Sequence, residues 1–177
     1  MRAKIRVRQG GETVYAMTRT LVLGIGDTLL GDQGAGIHAL RRVERLLGRP
    51  HGLAYLDGSR SSHGFPFTLP NFHRWIVLGA GHLQRTPGTI ELFEGPAMDA
   101  FLRRDGRGAH ESDLARWLEH ARRHGTLPAR RALVAIQPEH VQPGARTSWR
   151  VRAALDEAAA AAIGYVCHWD VAAKACA

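Results

Sequence analysis

Two cysteines, two lysines and no long apolar run are the chain's first informative scarcities. Cys167 and Cys176 are too far apart for a C-x-x-C motif, and no second pair completes a zinc site. Their place in the last dozen residues also excludes a cysteine nucleophile, which needs an organised base and oxyanion hole around it. They point to a reduced, cytoplasmic protein. No stretch approaches the roughly 20 apolar residues of a membrane span, and the N-terminus carries charges without the apolar core of a signal peptide. No membrane partner is therefore expected. Lys4 and Lys174 are the lysines, so nearly all of the formal charge of +8 rests on arginine. Scattered arginine pairs and heavy alanine usage are a mark of genome composition. A phosphate-binding face would interleave aromatic and basic residues or carry a recognition helix, and neither is found, so no nucleic-acid partner is expected.

Several phosphate and hydrolase signatures are missing as well. In the glycine-punctuated segment LVLGIGDTLLGDQGAG, residues 21–36, Leu29 stands where a dinucleotide fingerprint needs its third glycine. No Gly-Lys-Ser/Thr closes a phosphate loop. Ser59, Ser61 and Ser62 lack the G-x-S-x-G elbow of a serine hydrolase.

What is present is an alternation of strands and helices in 177 residues, enough for one domain with a core that requires neither disulfides nor metals. Leu21–Leu23 reads as a buried parallel strand that breaks at Gly24 and Gly26. A helix follows from about Ala35, with Ile37, Leu40, Val43, Leu46 and Leu47 on one face. Strands are predicted at Leu53–Leu56, Trp75–Leu78 and Ala132–Ile136. Ile90–Phe93 reads as an edge strand after a Pro87-Gly88-Thr89 turn. Between them lie an irregular crossover over 61–72, a polar region ending at His110, and a helix from Ser112 to His124 stopped by Gly125. A last helix starts near Thr147 as N-cap and turns Val151, Ala154, Leu155, Ala158 and Ile163 inward. This pattern predicts a single three-layer α/β domain over residues 18–165, with a mainly parallel, twisted sheet of about five strands flanked by helices. Residues 1–17 are a basic arm, either a hairpin or disordered, or lie upstream of a true start at Met17. Residues 166–177 form a tail.

Chemistry-bearing side chains collect at the carboxyl ends of the strands, where open α/β sheets bind ligands. Asp27, Asp32 and Gln33 follow strand one, Asp57 follows strand two, His82 follows strand three, and His110 precedes a helix. Carboxylate with imidazole suits Zn, Ni, Mn or Fe better than Ca or Mg. The plainer alternatives are that Asp32 caps the following helix, that Asp57 organises an Asp-Gly turn, and that the histidines are solvated.

The order of motifs resembles the hydrogenase maturation endopeptidases: LVLGIGDTLLGDQGAG, LDGS at 56–59, WIVLGAG at 75–81, PGT at 87–89, His110, and VAIQPE at 134–139 with Pro143-Gly144. The resemblance runs from about Thr20 to Ala162. It implies a protease that docks on the nickel-loaded [NiFe]-hydrogenase large-subunit precursor and removes its C-terminal extension, with no tightly bound cofactor of its own. It assigns Asp32, Asp57 and His110 to catalysis. It implies nickel contact by an acidic residue in the first loop, an aspartate after strand three, and a histidine. Here those positions hold Gln33, Gly79 and His110, so both carboxylates are missing, the histidine alone is kept, and the contact with substrate nickel is weakened. Asp27, where the family commonly has asparagine, and His82 are the residues placed to compensate. A non-proteolytic paralogue that binds a hydrogenase subunit or assembly factor as chaperone or scaffold is the alternative.

Overall fold

The computed structural model describes residues 6–9, 12–15, 20–60, 72–105 and 109–169, with side chains undescribed at 6–9, 12–15, 60, 105 and 109–112. In chain order the elements are β1 (Arg6–Gln9), β2 (Glu12–Tyr15), β3 (Thr20–Gly24), α1 (Ala35–Leu47), β4 (Leu53–Asp57), β5 (Arg74–Ala80), β6 (Ile90–Glu94), α2 (Pro96–Asp105), α3 (Ala109–Arg123), β7 (Arg130–Ile136) and α4 (Trp149–His168). β1 and β2 pair as a separate antiparallel ribbon, the hairpin alternative for the arm. The other five form one sheet in the order β4-β3-β5-β7-β6. β3, β4, β5 and β7 are parallel, and β6 closes one edge antiparallel to β7.

Strand alternation sorts the core into two layers. Val22, Ile76, Leu78, Ala132, Val134 and Ile136 face α1 and α4. Leu21, Leu23, Trp75, Val77, Leu133 and Ala135 face α2 and α3. The predicted three-layer domain with a mainly parallel five-stranded sheet is what the chain forms. Among the described residues, no helix is long and apolar enough to cross a membrane.

The differences from expectation have local causes. The region before His110, predicted polar, contains helix α2. Its buried stripe is Met98, Phe101 and Leu102, and its Asp99 is neutralised by a bidentate pair with Arg131 of β7 at 2.7 and 2.9 Å. That pairing hides a charged residue inside an amphipathic pattern. His110 lies in the first turn of α3 and not ahead of it. Ser148, not Thr147, caps α4, accepting from Val151 N at 3.3 Å. Leu46 is exposed, because the face of α1 ends with Val43 and the half-buried Leu47. α4 runs on through residues expected in the tail, and Trp169 is buried, its carbonyl accepting from Arg74. Cys167, on its last turn, is disulfide-bonded where a reduced thiol was expected. The chain's other cysteine, Cys176, lies outside the described residues, as does the crossover over 61–71.

The connection from β3 through α1 leads to β4 on one side, and the chain then returns past β3 to β5 on the other. The crevice outside the carboxyl ends of β3 and β5 is therefore the topological switch point. α1 begins directly over it because Gly36 lets the helix backbone touch both strand ends. A Cβ there would run into the carbonyl oxygens of Leu78 and Ile25 and stand 2.8 Å from the Gly79 Cα. Gly36→Ala is therefore expected to lower stability by about 2 kcal/mol, within the usual range for overpacking, read as a shifted urea midpoint at unchanged slope.

Candidate functional site

The crevice is built from two loops. After β3, Ile25 N still donates to the Leu78 carbonyl at 2.9 Å, holding the chain against β5. The backbone then turns at Gly26, whose φ of +131° and contact with the Gln33 carbonyl admit no side chain. Asp27 Oδ1 accepts Leu29 N at 2.8 Å, an Asx turn that shapes the loop. A 3-10 turn, Gly31–Gly34, carries the chain into α1, whose N-cap, Gly34, provides no side-chain cap. Asp32 thus does not cap α1.

Its carboxylate reaches instead to the loop between β7 and α4. Oδ2 accepts Glu139 N at 2.8 Å and His140 N at 3.2 Å, and Oδ1 accepts Ser148 N at 2.6 Å. In return Asp32 N donates to the His140 carbonyl at 3.3 Å, and Gly144 N to the Leu29 carbonyl at 2.9 Å. Asp32 is 0% exposed. Burial alone would push its carboxyl up. The N–H groups of Ser148, Glu139 and His140, with the Ser148 hydroxyl, outweigh burial and hold it below its ordinary 3.8. The two loops therefore form a single unit around one buried anion.

Asp57 ends β4 one strand away, in register with Gly24. Its Oδ1 accepts the Ser59 N–H at 3.0 Å and the Ser59 hydroxyl at 2.5 Å, and its Oδ2 is 3.7 Å from an Arg41 nitrogen. One carboxylate oxygen thus organises the turn while the other faces a partly exposed guanidinium. Gln33 is half-buried, and its Oε1 is a buried atom with no hydrogen-bond partner among the described residues. On the far side of β3, Gly79 is the penultimate residue of β5, paired with Ala135 of β7, and the turn that follows carries the exposed His82.

His110 is placed by topology. α3 ends next to the segment that starts β7, with Thr126 N donating to the Ala121 carbonyl at 2.8 Å. Its first turn is therefore at the opposite end, where the parallel strands finish. Only the backbone of His110 is described. Among the described residues, no group of three or more His, Cys, Asp or Glu side chains is close enough to hold a metal ion.

Gln137 has a structural part that its sequence context does not reveal. It follows a buried apolar strand and is itself buried. Its Oε1 accepts Leu83 N at 2.7 Å, its Nε2 donates to the Pro138 carbonyl at 3.0 Å, and its backbone exchanges bonds with Gly88 and Thr89. It thus ties the His82 turn to the β7 end, as Asp32 ties the first loop to it. A polar side chain ending an apolar strand just before proline is the only signal the sequence offers for this.

Comparison with known proteins places this geometry among related chains. The family model described as hydrogenase maturation protease matches residues 37–165. The chain is 28% identical over 155 residues to a hydrogenase expression/formation protein of Rhodobacter capsulatus, covering 86% of this chain and 73% of that one. It is 27% identical over 141 residues to the hydrogenase 2 maturation protease of Escherichia coli, covering 79% and 85%. The structure of a hydrogenase maturating endopeptidase from Escherichia coli superposes with a TM-score of 0.78 at 25% identity, covering 84% of this chain and 92% of that one.

The Asp32 clasp predicts an acid-sensitive fold. A carboxyl held below its ordinary value contributes stability that is complete above 3.8 and is lost as pH falls through the lower folded value. Asp32→Ala, which strands three backbone N–H groups, is expected to cost about 3 kcal/mol near neutral pH. The cost should shrink as the pH is lowered below the ordinary carboxylate value, because the wild type then loses the same charge. Urea titrations of both proteins across that range provide the measurement.

Proposed function

The chain belongs to the hydrogenase maturation protease family, and from that premise we propose that it removes the C-terminal extension of a nickel-loaded [NiFe]-hydrogenase large-subunit precursor. The observation that carries the reading is the family match over residues 37–165, joined to a crevice at the switch point of a matching fold. Hydrolysis there breaks the peptide C–N bond, adds the hydroxyl of water to the carbonyl carbon and leaves the proton on the departing amine.

The residues divide this work. Asp32 is committed to three backbone N–H groups and acts as a positioning residue that holds the crevice walls. Asp57 is anchored through Oδ1 by Ser59, so its Oδ2 is the carboxylate oxygen available to orient water or take its proton. His110 supplies an imidazole from the first turn of α3. Gln33, whose carbonyl oxygen is buried without a partner among the described residues, becomes a neutral acceptor for the substrate only if its side chain turns outward.

Nickel belongs to the substrate in this reading. Gly79 provides no ligand, and the room a side chain would take there is filled: a Cβ at Gly79 would lie 2.8 Å from Ile25 Cγ1, and Ile25 is itself buried. The contact with substrate nickel is accordingly weak and rests on Gln33 and His110, with Asp27 and His82 as the flanking donors.

Incubated with the nickel-loaded precursor, the purified chain is expected to yield a subunit shortened at its C-terminus, seen by mass spectrometry. His110→Ala should slow that cleavage by roughly 10²-fold or more. An intact precursor that co-purifies with the chain would support the scaffold alternative instead. A second test concerns the metal: Gln33→Glu with Gly79→Asp should bind nickel measurably by calorimetry only when Ile25→Ala makes room for the new carboxylate. Equal binding with Ile25 intact would show that the apolar side chain is no obstacle.

A further inference from the structure

Three large apolar side chains stand in water beside the crevice: Leu29 is 73% exposed, Val141 42% and Trp149 68%. Leu29 lies on the loop after β3, Val141 on the loop after β7, and Trp149 at the first position of α4. Each adjoins a point at which the two loops are bonded together. The Leu29 carbonyl accepts Gly144 N, Val141 follows His140, and Trp149 follows Ser148, both of which give their N–H groups to Asp32. The three side chains therefore project from one stitched unit.

Trp149 is also held in place. The Arg150 guanidinium lies 4.8 Å from the centre of its ring. The same guanidinium bonds Glu139 Oε1 at 2.5 Å, and Glu139 N is bound by Asp32. The indole is thus fixed from the buried carboxylate outward through three contacts. Trp75 and Trp169 serve the core, whereas the core closes without Trp149. A pre-positioned, water-exposed aromatic among aliphatic neighbours has the character of a binding anchor, because little rotamer freedom remains to be lost on contact.

The surrounding charge is one-sided. Between Pro138 and Arg152 the sole acid is Glu139, already paired with Arg150, which leaves the charges of Arg146 and Arg152 unbalanced. The geometry points to this rim as the docking surface for the large-subunit precursor. The docking segment seats an apolar side chain on Trp149 and Leu29 and presents carboxylates toward Arg146 and Arg152. This rests on the maturation reading above and adds to it the part of the chain that selects the substrate.

The test uses the full chain and the nickel-loaded precursor, with binding measured by calorimetry and cleavage by initial rate. Trp149→Ala and Leu29→Ser are each expected to raise Kd and KM about tenfold while kcat stays within about twofold. Arg146→Glu with Arg152→Glu should weaken binding too and flatten its salt dependence. If the apolar variants bind and cleave with unchanged Kd and KM while the wild type cuts normally, the docking surface lies elsewhere and the maturation reading stands. A wild type that neither binds nor cuts the precursor overturns both. Should the wild type form a dimer that Trp149→Ala dissolves at unchanged KM, the rim is an interface between two copies and the proposal fails.

Discussion

One buried carboxylate organises this end of the molecule. Asp32 gives up contact with water and receives three backbone N–H groups from a loop distant in sequence. A buried anion is costly unless fully hydrogen-bonded, and bonds to a charged acceptor are among the stronger ones available. The arrangement therefore behaves as a clasp: the loop after β3, the loop after β7 and the start of α4 are held in one geometry or released together. The indole of Trp149 and the Glu139–Arg150 pair inherit their positions from that clasp.

Gln137 performs the neutral counterpart of this task across β5. Its side chain fixes the turn that carries His82, again through backbone groups. Two polar residues, one charged and one not, thus frame the switch point from either side. The strand ends between them are close-packed: Gly36 lets α1 meet the backbone of β3 and β5, and Ile25 fills the room beside Gly79. Polar atoms stand at the rim and apolar ones on the floor.

Much of the architecture was legible from residue pattern. Leu21–Leu23, Trp75–Leu78 and Ala132–Ile136 are apolar runs bounded by glycine or a polar stop, and each is a central strand because such runs can be buried on both faces. Helix α2 was not legible, since Asp99 and its arginines interrupt the apolar stripe and become compatible with burial only through Arg131, 32 residues later. At the site, sequence placed Asp27, Asp32, Gln33 and Asp57 correctly at strand ends. It did not separate their physical states: a carboxylate consumed by backbone donors and one with an oxygen still facing outward are written with the same letter. Asp32 read equally well as a helix cap, and only the third dimension shows that the helix it serves is α4, through Ser148 N.

The partners of Asp32 lie 107, 108 and 116 residues further along the chain. During synthesis the first loop is therefore made long before anything exists to hold it. Until Glu139 and His140 have left the ribosome Asp32 has none of its three donors, and until Ser148 and Trp149 follow it lacks the third and the rim lacks its indole. A nascent chain can pair β3 with β4 and β5, yet it has no finished crevice to offer. The clasp is thus complete only once Ser148 has emerged, and a chain cut before Glu139 retains every strand of the sheet and none of the clasp.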